Sequence, residues 1–200
     1  MADAIDILTD EHRLIEQVLG SLEVFTEKLG EESEHDRDTV RQFADFFHHF
    51  VDEIHHGKEE DYLFVRMNSY GFSKQAGPVS AMLSEQGEGR EHLSALADIG
   101  QGSGPLSRRE HVLIKGHALG YILRIQSHMK REDDVLFPVA RHSLPPFVLK
   151  ELTGEFEDFD GNPANRPLHQ DLLGIAHRLV AKYPPKASSP VPPAQRQGPD

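Results

Sequence analysis

The chain has 200 residues, 38% of them hydrophobic, which is enough for one domain of ordinary size with a real core. A net charge of -12 argues against nucleic-acid binding, which needs a basic face, and no apolar run approaches the length of a membrane span. Thirteen histidines stand beside no cysteine, so disulfides and thiolate metal sites are excluded, and any metal must be held by nitrogen and oxygen.

Residues 5–29 read as a helix. Leu8, His12, Ile15, Val18, Leu19, Leu22, Phe25 and Leu29 fall on one stripe at helical spacing. Gly30 ends it, and the polar run 31–37 reads as a loop. A second helix is expected over 37–66, with a stripe of Val40, Phe43, Phe47, Val51, Ile54/His55, Glu59, Tyr62 and Val65. A third starts near Gly77-Pro78, with proline suited to the first turn, and Gly87 and Gly89 weaken it locally. Gly100 to Pro105 reads as a flexible link. Ser107-Arg108-Arg109-Glu110 is a capping-box pattern that opens a long fourth helix to about 141. Its inward face is Ile114, Ala118, Tyr121, Ile125, His128, Glu132 and Leu136. Pro145-Pro146 stops it, and two shorter helices are expected near 146–157 and 167–183.

Strand signals are weak, so the expected fold is all-α. It is an antiparallel up-down four-helix bundle over 1–143, with a short helical extension over 144–183 packed on it. The stretch 184–200 is rich in Pro, Ser and Gln and is expected to be a disordered tail. The first residues carry neither a basic region nor an apolar segment of a leader, so cytoplasmic residence is the expectation.

One pattern occurs twice. His55-His56-Gly57-Lys58-Glu59 and His128-Met129-Lys130-Arg131-Glu132 both read His-x-x-x-Glu, followed by acidic residues and Leu-Phe. Residues four apart share a helix face, where an imidazole and a carboxylate can hold one ion between them. Counting residues from the helix ends puts His12, His55, Glu59, Gln86, His128 and Glu132 in one layer of the bundle. A carboxylate on a buried stripe needs a partner or a cation, so Glu59 and Glu132 point to metal. Aligning the two repeats pairs His55 with His128 and sets His56 about 100° around the helix, out of direct ligation. The expected metal residues are therefore His12, His55, Glu59, His128 and Glu132. Glu85, Gln86, His56 and Tyr121 are expected as further ligands or as supports around them.

With these residues in hand, the chain resembles the hemerythrin-like family, the His-His-Glu cation-binding domains. The matching stretches are Asp10 to Glu16, His55 to Asp61, Gly77-Pro78 through Gly89-Arg90, and His128 to Pro138, within about 5–140. The resemblance implies a non-heme diiron centre, with two irons per chain, that binds O₂ or NO. A His/carboxylate donor set also suits zinc or manganese. The sequence departs at Gln86, where the family pattern has a histidine, which implies an open coordination position or a site of lower metal affinity.

Three functions compete. One is a protein that binds or senses O₂ or NO, for which an output would require a separate protein partner. Another is a diiron enzyme with peroxidase-like, oxidase-like or NO-reducing chemistry on O₂, NO or peroxide. The last is a bundle that has lost part of its metal site, with Arg90 and Arg124 pairing the carboxylates.

Overall fold

A computed structural model describes residues 3–30, 36–162 and 166–186. Most of the loop expected at 31–37, His35 within it, and residues 187–200 of the expected tail lie outside the described residues. The described residues form helices and no strand, and no helix among them is long and apolar enough to cross a membrane.

Helix α1 spans Ala4–Lys28. Its start is fixed by Asp3, whose carboxylate accepts from the amides of Ile5 and Asp6, while Asp6 answers to the amide of Asp3. The second long helix runs over 36–69 without a break in direction of coiling, but it changes pitch. It consists of α2 (Asp36–Phe46), π1 (Phe47–His55), α3 (His56–Lys58), π2 (Glu59–Leu63) and α4 (Phe64–Ser69). Helix α5 spans Gly77–Gly100, with proline in its first turn as expected. Helix α6 (Arg108–Arg131) opens on the Ser107–Glu110 capping box and passes into π3 (Glu132–Leu136) and α7 (Phe137–Ser143). Helices α8 (Pro146–Gly161) and α9 (Arg166–Lys182) follow. These helices pack as a helical bundle.

The π-turns correct the expected register. In a π-helix the hydrogen bonds run from i to i+5, so each turn holds an extra residue. After π2 the buried positions are Leu63, Phe64 and Met67, whereas Val65, expected inward, is 42% exposed. The short link after α5 is also better fixed than its glycines imply. Arg37 donates from Nε to the Gly104 carbonyl at 2.7 Å and from Nη1 to Ile99 at 2.5 Å, and it pairs with Glu110 at 2.8 Å. Gly89 does not break α5. A Cβ there would meet Ile125 Cδ1 at 3.2 Å, so the glycine lets α5 approach α6 closely.

Two apolar cores lie on either side of one polar layer. Leu8, Leu63, Met82 and Leu136 belong to one core, and Ile15, Ile54, Leu93 and Ile125 to the other. On each long helix the residue between those two positions is polar and buried: His12, Glu59, Gln86 and His128. Helix α8 adds Val148, Leu152 and Phe156 to the first core, and α9 adds Leu172, Ala176 and Leu179 to the second.

Candidate metal centre

The polar layer is closed to solvent. His55, Glu59, Gln86, His128 and Glu132 are all 0% exposed, and His12 and His56 only 1% and 3%. Four helical segments meet there. His12 Nε2 lies 3.1 Å from His55 Nε2 and 3.4 Å from Glu132 Oε2. His55 Nε2 is 3.7 Å from Glu59 Oε1, and His128 Nε2 is 3.2 Å from Glu132 Oε1. All five residues expected as ligands are thus brought together.

Two overlapping donor groups emerge. One is His12, His55, Glu59 and Glu132; the other is His56, Glu59 and His128; within each, the donor atoms lie within 4.8 Å of one another. Glu59 belongs to both. His56 is therefore not set apart from the donors as the alignment of repeats suggested. It sits between two stretches of helix where π-turns spread adjacent residues less than the usual 100°, so His55 and His56 both face inward. Its counterpart in the second repeat is Met129, an apolar core residue, so the two repeats are not equivalent.

Each of the four imidazoles has the same arrangement on its other nitrogen. Nδ1 of His12 meets Asp133 at 3.0 Å, and Nδ1 of His55 meets Glu11 at 2.9 Å. Nδ1 of His56 meets Asp52 at 3.4 Å, and Nδ1 of His128 meets Glu85 at 3.2 Å. A carboxylate on Nδ1 fixes the tautomer and leaves Nε2 as a free lone pair, as supports of metal-bound imidazoles do. Three of these carboxylates are themselves held by cations. Lys58 binds Glu11 at 2.5 Å, Arg90 binds Asp52 at 2.5 Å, and Arg131 binds Glu85 at 2.7 Å.

The other residues expected near the centre are placed as follows. Glu85 supports His128 through Nδ1. Gln86 donates from Nε2 to Glu59 Oε2 at 2.8 Å, and its Oε1 is buried without a partner. Tyr121 packs its ring on Phe47, centroids 4.8 Å apart, and is in neither donor group. Burial, with the charge of Asp52 added, pushes its hydroxyl pKa well up. Arg90 and Arg124 do not pair with the central carboxylates: Arg90 takes Asp52 and Glu60, and Arg124 takes Glu88. His48 lies on the surface.

The sequence reading missed Glu11, Asp52 and Asp133, and it left His56 between ligand and support. A signal was there for one of them. Asp52 and His56 are an i,i+4 pair like His55 and Glu59. It also missed Lys58, a 0%-exposed ammonium between Glu11 and Asp160 of α8.

Electrostatics fit a cation. Burial raises the pKa of Glu59 and Glu132 well above the usual carboxyl range, and for Glu59 the neighbouring Glu132 adds to it. Burial also drives His55 and His128 well below the usual imidazole value, and His56 below it. These three imidazoles are therefore held neutral, with lone pairs ready to bind. Glu59 Oε1 and both Glu132 oxygens are buried with no hydrogen-bond partner, as is His128 Nε2. Such orphaned acceptors cost free energy unless something positive completes them.

A helical domain with a buried layer of imidazoles and carboxylates is a metal-binding domain of the hemerythrin kind. The sequence model of the Hemerythrin HHE cation binding domain matches residues 3–140, and the chain belongs to that family. No curated protein and no solved structure matches it.

Proposed function

We propose that this domain holds two iron ions and uses them to bind or sense a small molecule, O₂ or NO. The reading rests on one observation above all: four imidazoles, each fixed by a carboxylate on Nδ1, gather around two buried carboxylates of which three oxygens, Glu59 Oε1 and both of Glu132, have no hydrogen-bond partner. His12 and His55 would hold one ion, His56 and His128 the other, and Glu59 and Glu132 would be shared. Two ions also suit two carboxylates, since burying both charges side by side needs strong positive compensation. Iron comes with the family; the donor set would also accept manganese or zinc.

When bound, the ions supply open coordination positions and redox capacity for a small ligand. The chain does the rest. Full burial of the donors admits only something very small. Phe137, stacked on His12 at 5.3 Å between centroids, and Ile125 keep the surroundings dry. Gln86 holds Glu59 by its amide and leaves Oε1 as a buried acceptor. That acceptor favours a ligand carrying a proton, such as peroxide, and it is the observation that supports the enzymatic alternative. The long helices 4–28, 36–69, 77–100 and 108–143 are read as an antiparallel up-down bundle, with α8 and α9 as its extension.

Metal content and a visible spectrum test the reading. Protein made with iron should carry about two ions per chain, and Glu132→Ala should lose most of them. A band that grows with O₂ and fades on its removal supports binding; steady peroxide consumption, abolished in His128→Ala but kept in His142→Ala, supports the enzyme. Well under one ion per chain, unchanged by Glu132→Ala, sinks both.

A further inference from the structure

A second group of metal-ligating side chains lies on the surface, at His48, His49 and Glu53. Adjacent histidines on an α-helix point about 100° apart and could not both reach one carboxylate. These three lie within π1. There residues four and five apart flank the same line, because the hydrogen bonds run to i+5. Glu53 is four residues after His49 and five after His48. Its Oε2 accordingly meets His49 Nδ1 at 2.8 Å, and its Oε1 lies 3.4 Å from His48 Nε2. The two rings are 4.7 Å apart between centroids, and the donor atoms of the three residues lie within 4.8 Å of one another. Two nitrogens and a carboxylate, all reachable from water, form an open three-donor set for a divalent transition metal.

The place of this set gives it a use. His48 lines a cavity of about 300 Å³ together with Asp52, Arg90, Leu93, Ser94 and Ala97. Asp52 in turn holds Nδ1 of His56, a donor of the buried centre. The buried centre is closed, so an ion must pass some protein group on its way in. We propose that His48, His49 and Glu53 capture a divalent metal ion and pass it through the Asp52 cavity to the buried centre. The second half of this statement rests on the proposed reading of that centre; the first half does not.

Cobalt(II), whose visible bands report its donor set, separates the two. Protein whose buried centre is already filled should take up one further cobalt ion, and His48→Ala/His49→Ala should weaken that uptake by on the order of tenfold or more. A Glu59→Ala/Glu132→Ala protein, which lacks the central carboxylates, should keep the surface ion; its loss of the central ions reads the buried centre alone. Metal-free His48→Ala/His49→Ala should then fill its buried centre to the same final level as wild type but several-fold more slowly at limiting cobalt. His177→Ala, an exposed histidine outside the three-donor set, should change neither. If the His48→Ala/His49→Ala protein takes up as much surface cobalt as wild type, or loads its centre at the wild-type rate, the proposal falls. His48 and Glu53 are exposed and His49 is half-buried, none of them in the core, so these variants are expected to keep the fold, with helicity as the check.

Discussion

Replacing Asp52 by asparagine tests whether His56 is a metal donor. The carboxylate lies 3.4 Å from His56 Nδ1 and accepts from Arg90 Nε at 2.5 Å. Asparagine keeps the size and one acceptor but loses the charge. The imidazole then becomes a poorer donor and is less firmly aimed. Removing such a partner typically weakens metal binding by ~10–100-fold. Here the contact is the longest of the four, the side chain is 17% exposed, and Arg90 shares it. The expected loss is therefore near the lower end, about tenfold, or about 1.4 kcal/mol. Glu11→Gln is the reference. Glu11 meets His55 Nδ1 at 2.9 Å with its side chain only 10% exposed, which places it nearer a hundredfold, or about 2.7 kcal/mol. Competition with a coloured chelator, on protein first checked for helicity, measures both ions. Asp52→Asn should weaken one ion, the one assigned to His56 and His128, and Glu11→Gln chiefly the other. Should Asp52→Asn leave both affinities within about twofold of wild type while Glu11→Gln lowers one, His56 is not a donor and Asp52 serves only to anchor Arg90.

Other outcomes follow from the same geometry. Metal must displace protons from Glu59 and Glu132, whose pKa values are raised when the protein is folded, so ion uptake should release protons and tighten as pH rises, read by calorimetry in buffers of different ionisation heat. A raised folded pKa stabilises the metal-free fold below the unfolded value of about 4.5, and that stability is lost as pH climbs toward the folded value. The melting temperature of metal-free wild type minus that of metal-free Glu59→Gln/Glu132→Gln should therefore fall with rising pH; a difference that rises instead would contradict the burial argument. Lys58→Met strands the Glu11 carboxylate and should cost about 3–5 kcal/mol in urea unfolding, whereas Lys130→Met, on the surface, should leave the unfolding midpoint close to wild type. Gln86→His exchanges an amide that holds Glu59 for an imidazole donor, and should tighten binding of one ion by roughly tenfold or more; unchanged affinity would mean that position 86 does not face the metals.

The helices were legible because their signals are local. Pro78 and Ser107 each mark a start by their own chemistry, and the apolar stripes of α1 and α6 keep a steady period. The layer was legible too, since residue counts along straight helices fix height. The π-turns were not. No residue type demands an extra residue in a turn; packing of Leu63, Phe64 and Met67 into the core selects it, and that packing involves other helices. The slip in register then hid His56, because an alignment of repeats assumes equal pitch and equal roles for His56 and Met129. Lys58 was hidden for a different reason. A lysine amid charged neighbours reads as solvated, and its partners lie 47 and 102 residues away in sequence.

Both central carboxylates stand at the first residue of a π-turn, Glu59 in Glu59–Leu63 and Glu132 in Glu132–Leu136. Deleting one residue inside either stretch would leave every donor in the sequence and restore an ordinary pitch. Four residues at the ordinary pitch turn about as far as five at the wider one, so Leu63 and Met67, or Leu136 and Ala140, would keep the core face, and the change would fall on the backbone that aims the carboxylate. Relatives that keep both carboxylates but lack one residue in either stretch should keep the bundle and carry a differently shaped centre.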